Sequence, residues 1–381
     1  MTRKVLVALV LGIVCLGSSC DKRITRPKNR NVNELDRQLH KAVSAGDVEE
    51  IKRLISAGAD VNARDQNGNS SLHLASYHKG NDIAKLLIEN GANVNARSDG
   101  GYTTLLSASI NGRYETAKLL IDKGVSVNAK NKSKETAIFA AAASGNLKLV
   151  KLLVDNGAKF PKKGRTPLHS AVRHSYLSPE FEKQRLAMVE FFLKKGVDVN
   201  AKGNSKAGAE TTVLHEASLS ADRSVIEYLI KKGAKVNAKA KTGSTPLHAA
   251  AMTGNIAAAE ALIAEGADVN AMSQYSGTPL HMAVSLRSIS ASPGSVLRVE
   301  LVKLLLAKGA DPNITDHRNS TPLHNAIGWG WEDTVVNKSI AAALLDNGAD
   351  PNLKDRYGRT PLSLATEKPE IIELLKKYAK K

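Results

Sequence analysis

A fixed interval between glycines constrains this chain more than any other feature. Gly58, Gly91, Gly124 and Gly157 fall 33 residues apart, and Gly233 and Gly266 repeat the interval. Each sits in a recurring phrase: NGANVNA (90–96), KGVSVNA (123–129), KGVDVNA (195–201), KGAKVNA (232–238), EGADVNA (265–271). Each phrase follows an apolar run of helical period, such as AKLLI, VKLLV, VEFFL, IEYLI or VKLLL. Upstream stand TPLH at 166–169, 245–248, 278–281 and 321–324, with SSLH at 70–73 and TVLH at 212–215. Weaker forms fill the same slot at 103–106, 136–139 and 360–363. A period of this length describes a stack of small units, none of which buries its apolar face alone.

The residue types explain the phrase. Threonine caps a helix through its hydroxyl, and proline at the next position loses no needed donor. Leucine and a following alanine pack inward, and the alanine lets neighbouring helices approach. A second helix carries the paired leucines, and glycine after it supplies a left-handed C-cap. The VNA phrase and the next four to six residues turn out as a hairpin finger. Nine openings are visible, at 70, 103, 136, 166, 212, 245, 278, 321 and 360, and Leu39-His40-Lys41-Ala42 marks a tenth, degenerate unit beginning near Asn33. These residues resemble ankyrin repeats. The resemblance covers about 34–381 and implies an all-α solenoid of about ten helix-turn-helix units with β-hairpin fingers, degenerate units capping its ends. It implies protein–protein recognition through finger tips and the groove of the inner helices.

Residues 1–19 form a separate address. Arg3 and Lys4 precede a twelve-residue apolar run, Val5 to Leu16, too short to span a bilayer comfortably. Small residues follow, and Gly17-Ser18-Ser19-Cys20 resembles a bacterial lipobox, with Leu16 one place further from the cysteine than that pattern usually has it. The resemblance implies a signal peptide over 1–19, a lipidated Cys20, and an exported, membrane-anchored bacterial lipoprotein on the periplasmic or cell-surface side. Ordinary cleavage near Ser19, leaving a free thiol, is the other reading. Cys15 and Cys20 are the only cysteines, so a disulfide framework is excluded from the remainder. Residues 20–33 read as a basic tether with a reach of about 40 Å, beside lipid headgroups or as plain linker.

Aromatic residues are only 4%, which argues against base-stacking platforms, while 54 Lys+Arg against 37 Asp+Glu give +17. The charge is uneven. Fingers 126–136, 159–166, 198–212 and 235–245 carry +9 together, and the other five carry −2. Lys130, Lys132, Lys134, Lys162, Lys163, Arg165, Lys239 and Lys241 therefore form a candidate docking ridge for an acidic partner, set against plain solvated surface. Longer glycine intervals mark insertions around 173–185, 286–298 and 328–338, between first and second helices, and at 202–211 in a finger. The third holds Trp329 and Trp331, the only tryptophans, either folded on a neighbour or awaiting a partner.

His73, His169, His215, His248, His281 and His324 recur in one slot. Successive slots lie about 10 Å apart, too far to share a tetrahedral ion, so no metal and no cofactor is expected. In the family phrase this histidine bonds its own turn and the neighbouring unit. No nucleophile–base pair or phosphate loop is legible. The expectation is a non-enzymatic, monomeric scaffold binding a protein with an acidic surface, without specific nucleic-acid recognition. The competing reading is a binder of anionic polymers, lipid headgroups or nucleic acid.

Overall fold

The computed structural model describes residues 33–173, 179–203, 210–285, 293–328, 334–366 and 368–379. Twenty helices are described, in ten consecutive pairs. The regular pairs are α1 (Glu34–Ala45) with α2 (Val48–Ser56), α3 (Ser71–Ala75) with α4 (Asp82–Glu89), α5 (Thr104–Ile110) with α6 (Tyr114–Asp122), and α7 (Ala137–Ala143) with α8 (Leu147–Asp155). Next come α9 (Pro167–Ala171) with α10 (Pro179–Lys194), α11 (Val213–Ser218) with α12 (Arg223–Lys231), and α13 (Pro246–Thr253) with α14 (Ile256–Ala264). The last are α15 (Pro279–Val284) with α16 (Pro293–Ala307), α17 (Pro322–Gly328) with α18 (Thr334–Asp346), and α19 (Pro361–Leu364) with α20 (Pro369–Ala379). They fall into two compact units: one runs to Thr104 and includes Asn131–Ser133, and the other holds Leu105–Lys130 and everything from Lys134.

Within each unit the first helices stack on first helices and the second on second. The core follows the repeat phrase. Leu168, Leu247, Leu280 and Leu323 of the opening are fully buried, as are Ala217, Ala250, Ala283 and Ala326 two places after the histidine. Each second helix adds residues at i, i+1 and i+4, such as Leu149, Val150 and Leu153 in α8 or Val225, Ile226 and Leu229 in α12. Glycine ends these helices with φ near +80 to +90°, as at Gly58, Gly233 and Gly309. A Cβ at any of those three would meet nothing within 4 Å, so backbone conformation and not room requires glycine. The paired bonds Gly58 N–H to Ile55 O and Ala59 N–H to Leu54 O, both 3.0 Å, complete a Schellman cap.

The fingers contain little regular strand. Lys202–Gly203 (β1) pairs antiparallel with Thr211–Thr212 (β2), and isolated bridges join Arg64 to Ser70, Arg97 to Thr103 and Ser273 to Gly277. Their order comes from asparagine. The VNA asparagine donates from Nδ2 to the carbonyl of the next unit's glycine and accepts, on Oδ1, the amide N–H two places beyond it. Asn62 does so with Gly91 and Asn93 at 2.9 and 2.7 Å, and Asn237 with Gly266 and Asp268, both at 2.9 Å. Asn128, Asn200, Asn270 and Asn313 repeat the pair of bonds.

Departures from the period have local causes. The expected inter-helix insertions are partly absorbed as helix: α10, α16 and α18 run 16, 15 and 13 residues, against 9 in α8 or α12. Proline opens α10 and α16, and the segments after it are rich in residues that tolerate a helix. Where α8 and α14 begin with Asn146 and Asn255, α10 and α16 bury arginine in the same place, eleven before the glycine. Asn146 Nδ2 donates to Gly112 O at 2.9 Å and Asn255 Nδ2 to Ala221 O at 2.9 Å. Arg185, 1% exposed, donates to Ser220 O at 3.1 Å, and Arg298 donates to Val284 O and to Asn337 Oδ1. These side chains satisfy carbonyls left over near the ends of first helices. The short finger after Gly157 has no VNA asparagine. There the Lys162 carbonyl accepts Asp198 N–H at 2.9 Å, and Phe160 packs edge-on against buried Phe192 with centroids 5.6 Å apart.

The asparagine ladder gives a direct prediction. Asn237→Ala should cost about 1–2 kcal/mol in chemical denaturation.

Candidate functional site

The recurring histidines are capping residues. In α3, α9, α11, α13 and α15 the Ser or Thr hydroxyl before the helix accepts the histidine backbone N–H, and the imidazole reaches back to the cap. Nδ1 accepts the cap residue's own backbone N–H at 3.1–3.2 Å. This is a capping box with histidine in the place that glutamate usually takes. Because Nδ1 accepts a backbone N–H, the proton resides on Nε2. Nε2–H then donates to a carbonyl of the next finger: His73 to Tyr102 at 3.0 Å, His169 to Ala201 at 3.1 Å, His215 to Ser244 at 2.9 Å, and His248, His281 and His324 to Gly277, Ser320 and Arg359 at 3.0 Å. His40 in the degenerate first pair makes the equivalent bond to Ala63 O at 3.0 Å. Both ring nitrogens are thus committed to backbone, and among the described residues no cluster of three His, Cys, Asp or Glu side chains is arranged to hold a metal.

Burial depresses the pKa of these six imidazoles below the ordinary value, and the bonds to backbone carbonyls only partly oppose it. The unfolded chain therefore takes up protons first on acidification. The stability they contribute is fully present above about pH 6.5 and drains away as the pH falls toward the lower folded values. Thermal unfolding should show Tm falling from pH 7 to 5, and His248→Gln with His281→Gln should flatten that slope. His248→Ala should cost about 1–3 kcal/mol at pH 7, with no dependence on added chelator.

The candidate docking cations are all exposed at finger tips: Lys130, Lys132, Lys134, Lys162, Lys163, Arg165, Lys239 and Lys241. Lys132 belongs to the first unit and the other seven to the second. Within the second unit they do not form one uninterrupted row. Finger 198–212, of zero formal charge, stands between the group at 162–165 and the pair at 239–241, bonded to one through Asp198 and to the other through Asn200 and Lys235. Lys162 also has a structural part: a Cβ on Gly196 would lie 3.4 Å from its Nζ, so the side chain covers the end of α10. Lys134 adopts φ 62°, in the slot that fingers 60–70, 93–103, 235–245 and 350–360 fill with glycine. Cys20, the tether, Trp329 and Trp331 lie outside the described residues.

A second set of tip residues was not singled out from the sequence. Tyr275 and Tyr357 are 60% and 65% exposed on the eighth and tenth pairs' fingers, with exposed His317 on the finger between. The Tyr275 and His317 rings meet edge-on with centroids 6.1 Å apart. Arg356 N–H donates to Arg318 O at 2.9 Å and so joins the last two fingers. The signal was present as Tyr and Arg beside turn residues, but a net-charge count conceals it. Among the described residues no helix is long and apolar enough to cross a membrane.

Comparison with known families agrees with this geometry. The family described as "Ankyrin repeats (3 copies)" matches residues 39–131, 124–203, 214–293 and 294–381. No curated protein matches the chain. With capped helix pairs, glycine ends and linked fingers present throughout the matched segments, the chain belongs to the ankyrin-repeat family.

Proposed function

We propose that this protein is an exported binding scaffold, tethered to a bacterial membrane through a lipidated Cys20, that recognises the acidic surface of a protein partner and catalyses no reaction. Ankyrin repeats generally mediate protein–protein interaction. The finer reading rests on Lys134. A lysine at φ 62° costs about 1 kcal/mol where glycine would be unstrained. It projects from the same finger as Lys130 and Lys132, and all eight cations stand at tips where the fold itself asks for no charge. Strain retained at an exposed tip points to selection for the side chain.

Individually such charges contribute about 0.2–1 kcal/mol. Several acting together speed association and weaken with salt beyond about 10 Å of screening. Replacing Lys130, Lys132, Lys134, Lys163, Lys239 and Lys241 by Gln should weaken capture of the membrane-derived protein partner at least tenfold. A control set on second helices, Lys85, Lys118, Lys151, Lys231, Lys303 and Lys308, should leave capture within about twofold. Equal losses from both sets would reduce the ridge to net charge, and preferential binding to phosphatidylglycerol vesicles would favour the anionic-surface reading instead. Lys134→Gly alone should raise stability by about 1 kcal/mol in denaturant titration while lowering affinity.

The address makes a separate expectation. Mass measurement of the mature chain should show residues 1–19 absent and diacylglycerol on Cys20. Recovery of an unmodified chain that retains Met1 would reject it.

A further inference from the structure

The last three fingers carry a formal charge of −1, −1 and +1, which gives no reason to expect an anion-seeking surface. The side-chain geometry reverses that expectation. Asp316 Oδ1 accepts the backbone N–H groups of Arg318 and Ser320 at 2.8 and 2.9 Å. Asp355, 5% exposed, accepts those of Tyr357 and Arg359 at 2.9 Å and pairs with the Arg359 guanidinium at 2.7 Å. Asp268, Asp311 and Asp350 at the finger bases each accept the N–H of the asparagine two places on. The carboxylates are engaged in making the turns, whereas Arg318 and Arg356 are exposed and, among the described residues, form no ion pair.

The same three fingers expose large apolar side chains. Met272, Tyr275 and Tyr357 are 44%, 60% and 65% exposed. Arg356 and Arg359 lie 5.5 and 4.9 Å from the Tyr357 ring centroid, which holds that ring among cations. The tips are linked to one another by the Tyr275–His317 ring contact and the Arg356–Arg318 backbone bond, so they present one surface within the second unit. Tyr and Arg are the residues that dominate binding energy in protein interfaces, because they offer large contact area and directed donors.

We propose that these three fingers form a second docking strip, which takes an extended peptide segment of a partner protein in which acidic residues alternate with apolar ones. The carboxylates meet Arg318 and Arg356, and the apolar side chains lie on Tyr275, Met272 and Tyr357. A polyphosphate fits less well. It brings a charge at every step, while the strip offers two guanidiniums, of which Arg318 donates from Nε to the His317 ring at 3.2 Å and neither has a carboxylate partner among the described residues, and the finger bases present the exposed aspartates 268, 311 and 350. The proposal rests on the reading that this array binds proteins, but it uses residues other than the lysine ridge.

The test is selection of a random displayed dodecapeptide library on the full chain, then polarisation binding of the enriched peptides. Enriched sequences should combine Asp or Glu with apolar residues. Arg318→Gln with Arg356→Gln should weaken them about tenfold, and adding Tyr275→Ser with Tyr357→Ser should weaken them further. All four side chains are solvent-facing, so an unchanged Tm should accompany these variants. Peptides with Asn for Asp should lose affinity to a similar degree. The lysine-to-glutamine ridge set should leave binding within about twofold. Enrichment of peptides without acid, retention by the four-residue variant, absence of any enriched peptide, or stronger binding of an oligothymidylate would each overturn the strip. Peptides lost only with the ridge set would overturn it while leaving the proposed function standing. A captured partner insensitive to the ridge set would instead overturn the ridge assignment.

Discussion

Everything in each unit depends on polar groups of one repeat being satisfied by the backbone of the next. A helix pair of this size ends in unpaired carbonyls and amides, and a short finger has too few bonds to hold itself. The imidazole of the opening phrase closes its own helix with Nδ1 and reaches the next finger with Nε2, as His248 does to Gly277. The finger asparagine does the same at the other edge, as Asn237 does to Gly266 and Asp268. Both links are charge-neutral and directed, so they fix register between neighbours, while the buried leucine and alanine positions supply the non-directional drive.

The exceptions to the phrase arise from this dependence. Ser363 stands where other units have histidine. It bonds within its own turn, to Thr360. In the short finger, the Lys162 carbonyl accepts the amide that an asparagine oxygen accepts elsewhere, and Phe160 supplies the packing of a missing valine. In α10 and α16, Arg185 and Arg298 stand where α8 and α14 begin with asparagine, and they donate to the carbonyls of Ser220 and Val284.

Because the links are made at the finger bases and helix starts, the tips are released from structural duty. That freedom is where this chain's individuality resides: lysines on the central fingers, and tyrosines with arginines on the last three. Their different chemistry suits different contacts. Dispersed lysines act through long-range attraction, whereas a tyrosine flanked by guanidiniums needs close, desolvated contact.

The sequence by itself determined the repeat, the helix pairs, the glycine caps and the inward leucines. Period, cap chemistry and hydrophobic spacing are local properties, and each unit contacts only units near it in sequence. It also placed the histidines in one fixed slot of the opening phrase. Tertiary structure alone decided which polar side chains crosslink neighbours, because Asn237 finds its partners at Gly266 and Asp268, far along the chain, and nothing local in the sequence marks them. It showed that insertions expected between helices continue as helix in α10, α16 and α18, and that arginines become buried in the first two of these. It decided, too, which charges face outward. A formal count weighs Asp316 and Arg318 equally, but the carboxylate is engaged by backbone amides of its own turn, while the exposed guanidinium touches the neighbouring His317 ring and no carboxylate among the described residues.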